Sequence, residues 1–204
     1  MKILHIDSSI TGAQSVSRDL SARIVERLGG SSEHRIVYRD LAATPLAHFS
    51  AASAPSAHPL SQAMPVLNAQ QQMQRAESDA VLAEFLDADI VVIGVPMYNF
   101  TVPSELKAWV DRLIVPGTTF RRGEAGPEGL AHGKRVILGV ARGGIYAAGS
   151  PFAAAEHAES LLRSLLGFIG VTNIESVVAE GLNFPDSRQA AIEAAHDAVQ
   201  RLAA

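Results

Sequence analysis

The sequence predicts an α/β fold in which one parallel β-sheet is covered by helices on both faces. Short apolar runs alternate with helix-prone stretches along the whole chain, and this alternation is typical of parallel sheets. The run Ile90-Val91-Val92-Ile93 is apolar without interruption, as in a strand that is buried on both faces. With 204 residues, 48% of them hydrophobic, the chain is long enough for one domain with a full core. We therefore expect a single domain over residues 1–204.

The N-terminal part is predicted to contain two strands and a helix. Lys2–Asp7 is a short apolar run that ends at two serines, and it is the first strand. The segment Ser8–Val16 is a polar loop. Apolar residues then recur every four positions over Leu20–Leu28, and the pair Gly29-Gly30 ends this helical pattern. The second strand is Arg35–Tyr38.

The segment Leu41–Pro65 is rich in Ala, Ser and Pro and shows no clear period. We expect it to be a surface excursion within the domain, with a short helix at most. Long loops of this kind are often functional or mobile, and a tolerated insertion is an equally good interpretation.

The central part is predicted to contain the third strand between two helices. Val66–Leu86 has high helix propensity throughout, and Asp89–Val95 is the strand. Pro103–Ile114 is the following helix. It carries Trp109, the only tryptophan of the chain, which is a candidate for an apolar interface patch. The next segment, Pro116–His132, is predicted to be a glycine-rich loop.

The C-terminal part repeats the alternation twice. Arg135–Ala141 is the fourth strand and Phe152–Ile169 an apolar-striped helix. Ile174–Ala179 is the fifth strand and Gln189–Leu202 the closing helix. Five strands with right-handed crossovers favour a doubly wound sheet with the order 2-1-3-4-5. In that order the loops after strands one and three meet at the switch point, where open α/β sheets bind their ligands.

The loop after the first strand is suited to bind a phosphate group. Residues 8–18 contain four serines, a threonine and an arginine, and they lead into a helix. Helix N-termini offer unpaired N–H groups and the positive end of the helix dipole. Ser9, Ser15 and Ser17 add hydroxyl donors, although Ser15 or Ser17 is also a good helix cap. Because the loop lacks the triphosphate and dinucleotide glycine motifs, a monophosphate fits best.

The loops after strands three and four offer groups that suit a flat polar ring. Met97, Tyr98 and Phe100 can pack on such a ring, and Asn99 can donate to and accept from its edge. Taken alone, Met97 and Phe100 are more typical of a core. The run of residues 142–144, Arg-Gly-Gly, lets bare backbone approach a ligand. It is equally typical of an ordinary glycine turn with Arg142 in a surface ion pair.

Composition and missing motifs exclude several other classes of protein. The chain has no cysteine, which excludes disulfides, iron–sulfur clusters and zinc–thiolate sites. A formal charge of −4 argues against a nucleic-acid partner. The seven histidines form no metal-binding pattern, and no serine-hydrolase elbow is present. We expect no membrane span, no signal peptide and a cytoplasmic location.

Three motifs and their spacing form a more specific pattern. They are Ser8-Ser9-Ile10 with Ser15-Val16-Ser17, then Pro96-Met97-Tyr98-Asn99-Phe100, and then Arg142-Gly143-Gly144-Ile145. This combination closely resembles the bacterial FMN-dependent NAD(P)H azoreductases, also called FMN-dependent NADH:quinone oxidoreductases. Further matching pieces at residues 119–121, 126–130, 166–170 and 179–181 extend the resemblance over nearly the whole chain.

The resemblance implies a flavodoxin-like fold, one FMN per subunit and a homodimer with its active site at the interface. It implies that FMN is held by Ser9, Ser15, Val16, Ser17, Pro96, Met97, Tyr98, Asn99, Phe100, Ala141, Arg142, Gly143 and Gly144. Phe120 and Phe168 match aromatics that form an apolar wall over the flavin. Arg122 and Tyr146 lie near the mouth of the substrate pocket. No catalytic side chain and no metal are expected, because the cofactor carries the chemistry.

Three residues depart from those frequent in the family: Ala141 in place of Ser, Tyr146 in place of His, and Arg122 in place of an aromatic. They leave the substrate preference open. The implied reaction is a ping-pong cycle in which NADH or NADPH reduces FMN and leaves, and a quinone or azo compound then takes two electrons at the same site. The alternatives are a non-catalytic electron carrier of the flavodoxin type and a regulatory α/β module without flavin.

Overall fold

The computed structural model describes residues 1–29, 34–64 and 66–203. In these residues one five-stranded parallel sheet forms the centre of the molecule, with the strand order β2-β1-β3-β6-β7. The strands of the chain are β1 (Lys2–Asp7), β2 (Arg35–Asp40), β3 (Ile90–Pro96), β4 (Phe120–Gly123), β5 (Gly126–Gly129), β6 (Arg135–Ala141) and β7 (Asn173–Ala179). The predicted five-stranded parallel sheet is confirmed, and its last two members are β6 and β7 because another pair of strands precedes them.

The strands β4 and β5 form a separate antiparallel hairpin, so the prediction of a glycine-rich loop over Pro116–His132 was wrong. Gly123 pairs with Gly126, which leaves a two-residue turn, and Gly126 has a φ of 129° that favours glycine. Arg121 and Glu128 are cross-strand neighbours joined by an ion pair of 2.8 Å. The glycines that suggested a loop therefore shape the hairpin.

The helices are α1 (Val16–Gly29), α2 (Ala69–Asp87), α3 (Ser104–Asp111), α4 (Glu159–Phe168) and α5 (Pro185–Gln200). Short 3₁₀ turns lie at Gly12–Gln14, Pro59–Ala63 and Ala153–Ala155. The start of α2 is fixed by a capping box, because Asn68 and Gln71 each accept the other's backbone N–H at 3.0 Å. Pro185 occupies the first turn of α5, a position that proline favours.

The predicted helix over Phe152–Ile169 was wrong in its first part, because α4 begins only at Glu159. The carboxylate of Glu156 accepts the backbone N–H groups of Ala158, Glu159 and Ser160 at 2.8–3.0 Å. These donors are the ones that a helix start leaves without an intrahelical partner. The side chain of Glu156 therefore defines the start of α4.

Alternate residues of the strands face two apolar clusters, as the period of two in a strand requires. Val91 and Ile93 of β3 belong to a cluster shared with α2, α3 and α4, whereas Ile90 and Val92 belong to one shared with α1 and α5. The first cluster contains Trp109, which is fully buried and packs edge-on against Phe85 with ring centroids 6.2 Å apart. The prediction that Trp109 forms an exposed interface patch was therefore wrong.

Two arginines anchor the segment of residues 41–64 to the helices. Arg112, directly after α3, is buried and donates to the carbonyl oxygen of Ala47 at 2.7 Å and to Ser78 Oγ at 2.8 Å. Arg75 of α2 donates to the carbonyl oxygens of Ala51 and Ala52. The predicted short helix is the 3₁₀ turn at residues 59–63, while position 65 lies outside the described residues.

Within the described ranges, no helix combines the length and hydrophobicity needed to cross a bilayer.

Candidate functional site

Loops from β1, β3 and β6 meet at the carboxyl ends of these strands and line a cleft of about 270 Å³. The strands β2 and β3 lie on opposite sides of β1, so the switch point falls where the sequence predicted it. Nine of the thirteen predicted cofactor residues line the cleft: Ser9, Ser15, Val16, Pro96, Met97, Tyr98, Ala141, Arg142 and Gly143. Sequence reasoning missed five further lining residues: Thr11, Gln14, Leu182, Asn183 and Arg188.

The serine loop forms the first wall of the cleft. Ser15 Oγ accepts the backbone N–H of Arg18 at 3.3 Å, so Ser15 caps α1, as the capping interpretation proposed. Ser17 is buried and its hydroxyl lies 3.0 Å from that of Ser15. The first N–H groups of α1, those of Val16 and Ser17, have no intrahelical acceptor. The start of α1 therefore has both a serine cap and N–H groups that can bind a ligand.

Arg18 fixes the backbone of this loop. Its guanidinium donates to Asp40 in two bonds of 2.7 Å and to the carbonyl oxygen of Ser9 at 2.8 Å and 3.2 Å. The hydrogen bond from Arg18 is the main reason that the pKa of Asp40 lies below its usual value, and the same bond raises the pKa of Arg18. Arg18 is thus an anchor of the loop whose charge is already neutralised by Asp40.

A buried polar network supports the same loop from below. Ser21 Oγ donates to Asp7 Oδ1 at 2.7 Å and lies 2.9 Å from His5 Nε2, and Tyr38 donates its hydroxyl to Asp7 Oδ2 at 3.0 Å. Asp7 is 3% exposed, and these bonds satisfy its buried carboxylate. Gly94 on β3 has to be glycine here, because a Cβ atom would lie 2.5 Å from Asp7 Oδ1.

The second wall is the loop after β3. The hydroxyl of Tyr98 lies 3.1 Å from both Ser9 Oγ and the backbone nitrogen of Ile10. Tyr98 and Thr101 exchange both backbone hydrogen bonds, at 2.9 and 3.1 Å. The two residues between them, Asn99 and Phe100, have φ values of 47° and 72°.

A two-residue turn with positive φ at both positions is the type I′ turn, which favours Asn-Gly. Asn99 suits the first position, whereas Phe100 is strained at the second. The side chain of Phe100 is 51% exposed. Both residues are exposed beside the cleft and do not line its described surface.

The third wall is the loop after β6. Gly143 and Gly144 accept the backbone N–H groups of Asn183 and Gly181 at 2.9 and 2.8 Å. In the described part of the chain, their own N–H groups donate to no protein acceptor. Arg142 is buried and bonds Glu159 at 2.7 Å. The alternative interpretation, which placed Arg142 in a surface ion pair, was therefore wrong.

A second cavity of about 460 Å³ lies next to the cleft and is mostly apolar. It is lined by Phe100, Gly144, Ile145, Tyr146, Ser150, Pro151, Phe152 and Phe184. Phe100 and Tyr146 meet edge to face with centroids 6.4 Å apart. Sequence reasoning missed Ile145, Phe152 and Phe184, which are 48–63% exposed. These residues could have been found from the sequence, because large apolar side chains are unusual in the loops after β6 and β7, where they stand.

The predicted wall residues Phe120 and Phe168 contact each other elsewhere on the chain. Their ring centroids are 4.7 Å apart, and neither ring lines the described cleft or the apolar cavity. Gly129 of the hairpin lies so close to Gly170 after α4 that a Cβ atom would overlap its backbone nitrogen. Arg122 is exposed and lies on the same side of β4 as Phe120.

In the described part of the chain, no group of His, Asp and Glu side chains is arranged to hold a metal ion.

Comparisons with known proteins agree with the observed fold. The model of a family described by its flavodoxin-like fold matches residues 1–203. An FMN-dependent NADH:quinone oxidoreductase of Methylobacterium radiotolerans is 56% identical over 205 residues, with 100% of both chains covered. One of Methylorubrum extorquens is 51% identical over 208 residues, also with 100% of both chains covered. The structure of a Bacillus anthracis FMN-dependent NADH-azoreductase in complex with FMN has a TM-score of 0.83 at 25% identity, with 100% of this chain and 99% of that chain covered.

Proposed function

This chain belongs to the family with the flavodoxin-like fold, and we propose that it is an FMN-dependent oxidoreductase that uses NADH or NADPH to reduce quinones and azo compounds. Full-length relatives at 51–56% identity carry the name FMN-dependent NADH:quinone oxidoreductase. None of these relatives supports the non-catalytic electron carrier. The chain is thus an enzyme with FMN as its cofactor and a nicotinamide as its electron donor.

This proposal rests on the observation that one cleft contains two different sets of hydrogen-bond donors, one at each end. One end has the hydroxyls of Ser9 and Ser15 and the open N-terminus of α1, which suit a phosphate. The other end has the bare backbone of Gly143, whose N–H group suits an electron-rich ring edge. Met97 and Tyr98 lie between the two ends. FMN has a phosphate and a polar ring edge joined by a chain, so these residues fit it.

We assign the FMN phosphate to Ser9, Ser15, Val16 and Ser17, with Thr11, Gln14 and Arg188 of the same cleft close by. Arg188 already donates to the carbonyl oxygen of Leu182 at 2.8 Å. This bond holds its guanidinium at the cleft, where it supplies a positive charge for a phosphate.

The ring of FMN is assigned to the loops after β3 and β6. Pro96, Met97, Tyr98, Asn99 and Phe100 would contact its faces, and Ala141, Arg142, Gly143 and Gly144 its polar edge. The bound cofactor supplies the hydride and electron transfer. The protein orients the ring through the two loops and directs the N–H groups of Gly143 and Gly144 to the edge that becomes more negative on reduction.

The apolar cavity beside the cleft is the proposed binding site for flat donors and acceptors. Phe100, Tyr146, Phe152 and Phe184 offer aromatic surfaces for stacking there. A single stacking site obliges the nicotinamide to leave before a quinone or azo compound can bind. This requirement leads to the ping-pong order.

We further propose a homodimer in which Phe120, Phe168 and Arg122 of one subunit complete the active site of the other. The support is that both rings contact each other outside the described cleft, and that Phe168 is 38% exposed. Sedimentation should show a dimer. Phe168→Ala should retain FMN but lose acceptor turnover, and a monomeric, fully active enzyme would contradict this assembly.

We draw three further inferences, about the domain organisation, the sheet topology and the cellular location. We infer that residues 1–204 form one domain, that its sheet is doubly wound with the succession 2-1-3-4-5 among the parallel strands, and that the enzyme is cytoplasmic. The support for the last inference is the absence of cysteine, which suits a reducing compartment.

The decisive test of the function is spectroscopic. Purified protein supplied with FMN should bind it and turn yellow, and NADH or NADPH should bleach the bound flavin in an anaerobic stopped-flow experiment. Addition of a quinone should then restore the colour. Protein that stays colourless after FMN addition excludes the proposal, and flavin that only a partner reductase can bleach identifies a carrier.

A further inference from the structure

We propose that a partly buried cluster of four charges next to the loop after β6 lowers the reduction potential of the cofactor. We call it the Arg142 cluster, and it consists of Arg142, Glu156, Glu159 and Glu180. The inference rests on the proposed function, because it concerns FMN bound at this cleft.

The Arg142 cluster contains more acids than bases. The guanidinium of Arg142 lies 2.7 Å from Glu159, 3.4 Å from Glu156 and 3.6 Å from Glu180. Arg163 also bonds Glu159, at 2.9 Å. With three carboxylates and two guanidiniums, the group still has a net negative charge. All three carboxylates are at most 23% exposed, so solvent screens them only partly.

Hydrogen bonds hold Glu159 and Glu156 in place. Burial alone would raise the pKa of Glu159, but the bonds from Ser176 and Arg163 and the charge of Arg142 outweigh it, and the pKa is lowered. Glu156 accepts three backbone N–H groups of the start of α4. The fold thus holds both carboxylates at fixed positions beside Arg142.

The cluster is rigidly connected to the loop assigned to the ring edge. Arg142 and Gly143 both line the cleft, and the backbone of Arg142 bonds Ala179 and Leu182 at 2.9 and 3.1 Å. Glu180 accepts the N–H group of Tyr146 at 2.9 Å, so it also fixes the wall of the apolar cavity. The distance between the charges and the loop is thus set by the fold.

A net negative charge beside the loop assigned to the ring edge opposes the addition of electrons to the ring. In the partly buried surroundings of the cluster, Coulomb interactions act over a longer range than in water. The cluster should therefore shift the reduction equilibrium of FMN toward the oxidised form and make the reduced enzyme a stronger electron donor. Acceptors that are hard to reduce, such as azo compounds, would gain most from this effect.

Two substitutions of opposite sign separate this effect from a structural role. Glu180→Gln removes a negative charge but keeps a carbonyl oxygen for the N–H group of Tyr146, and it should raise the potential. Arg142→Gln removes the positive charge and should lower it. The expected change is about tenfold in the reduction equilibrium, which is about 30 mV for a two-electron couple. The measurement is anaerobic equilibration of the holoenzyme with a reference dye.

A matched control is Glu193→Gln, which removes a negative charge from an exposed position of α5 on the opposite face of the sheet and should leave the potential unchanged. If Arg142→Gln does not fold, Glu159→Gln replaces it and should raise the potential as Glu180→Gln does. Potentials that stay at the wild-type value, or that move in the same direction for Glu180→Gln and Arg142→Gln, overturn the proposal.

The two proposals fail in distinguishable ways. Protein that never binds FMN overturns the function and the tuning together. Protein that binds FMN and is reduced by NADH, but whose variants keep the wild-type potential, overturns only the tuning.

Discussion

The hydroxyl of Tyr98 lies 3.1 Å from the Oγ atom of Ser9. Tyr98 follows β3 and Ser9 follows β1, so this contact joins the two loops that the strand order brings together. The same hydroxyl lies 3.1 Å from the backbone nitrogen of Ile10. One phenol oxygen therefore fixes the relative position of the proposed phosphate loop and the proposed ring loop.

Replacing Tyr98 with Phe should weaken FMN binding while leaving the fold intact. A hydrogen bond of this kind is worth about 0.5–1.5 kcal/mol, so the loss of one from the bound state should raise the dissociation constant roughly 2- to 12-fold. Isothermal titration of apoprotein with FMN measures the change. An affinity equal to that of the wild type would show that the link between the loops does not support the cofactor.

Ser15 has two roles, and one experiment separates them. Ser15→Ala removes the cap of α1, which should reduce the stability of the apoprotein by about 1 kcal/mol. If the hydroxyl also contacts the phosphate, affinity for FMN should fall more than affinity for riboflavin, which has no phosphate. Ser164→Ala, at an exposed position on α4, is the control and should change neither affinity. An equal loss for both ligands would leave capping as the only role.

The strained turn at Phe100 predicts a trade between stability and activity. Phe100→Gly relieves a positive φ of 72°, which should stabilise the fold by about 1 kcal/mol and raise the melting temperature by about 2–4 °C. It also removes an aromatic wall of the apolar cavity, so the KM for quinones should rise. Phe152→Ala should raise the KM without the gain in stability. A destabilised Phe100→Gly variant would contradict the strain argument.

The ionisation of Tyr38 should occur at high pH. Burial of its hydroxyl and the neighbouring Asp7 raise its pKa to about 12 from the ordinary 10.0. Because the folded-state pKa is raised, its contribution to stability is complete below pH 10 and is lost as the pH rises toward 12. Tyr38→Phe should remove this part of the alkaline loss. Tyrosinate absorbance during a pH titration of both proteins tests the assignment, and a titration step for Tyr38 at its ordinary pKa would refute it.

Local patterns were sufficient to predict the parallel sheet. The apolar run Ile90–Ile93 and the alternation of runs with helical periods determine which segments are buried on both faces. The hairpin at residues 120–129 escaped prediction because its pairing depends on a turn between two glycines, and glycine is also the main signal of a loop. The start of α4 escaped because Glu156 sets it through its carboxylate, while the alanines before it favour a helix.

The cleft was predictable in position but not in full composition. Topology placed the loops of Ser9 and Tyr98 together, and the bare backbone of the Arg-Gly-Gly run suggested the loop at Gly143, in agreement with the family resemblance. The burial of Arg142 was not predictable, because its three carboxylates come from separate places in the chain and their meeting is a tertiary effect. Asn99 and Phe120 retain their assigned roles as predictions, since both depend on a bound ligand or a second subunit.

Trp109 gives this protein an internal optical reporter. Its indole is fully buried against Phe85, and within the described chain its Nε1 atom has no hydrogen-bond partner. An indole in such dry surroundings emits at short wavelength, and exposure to water shifts its emission to the red. Since the sequence contains no other tryptophan, the wavelength of its fluorescence emission reports whether this one core is packed, without any added label.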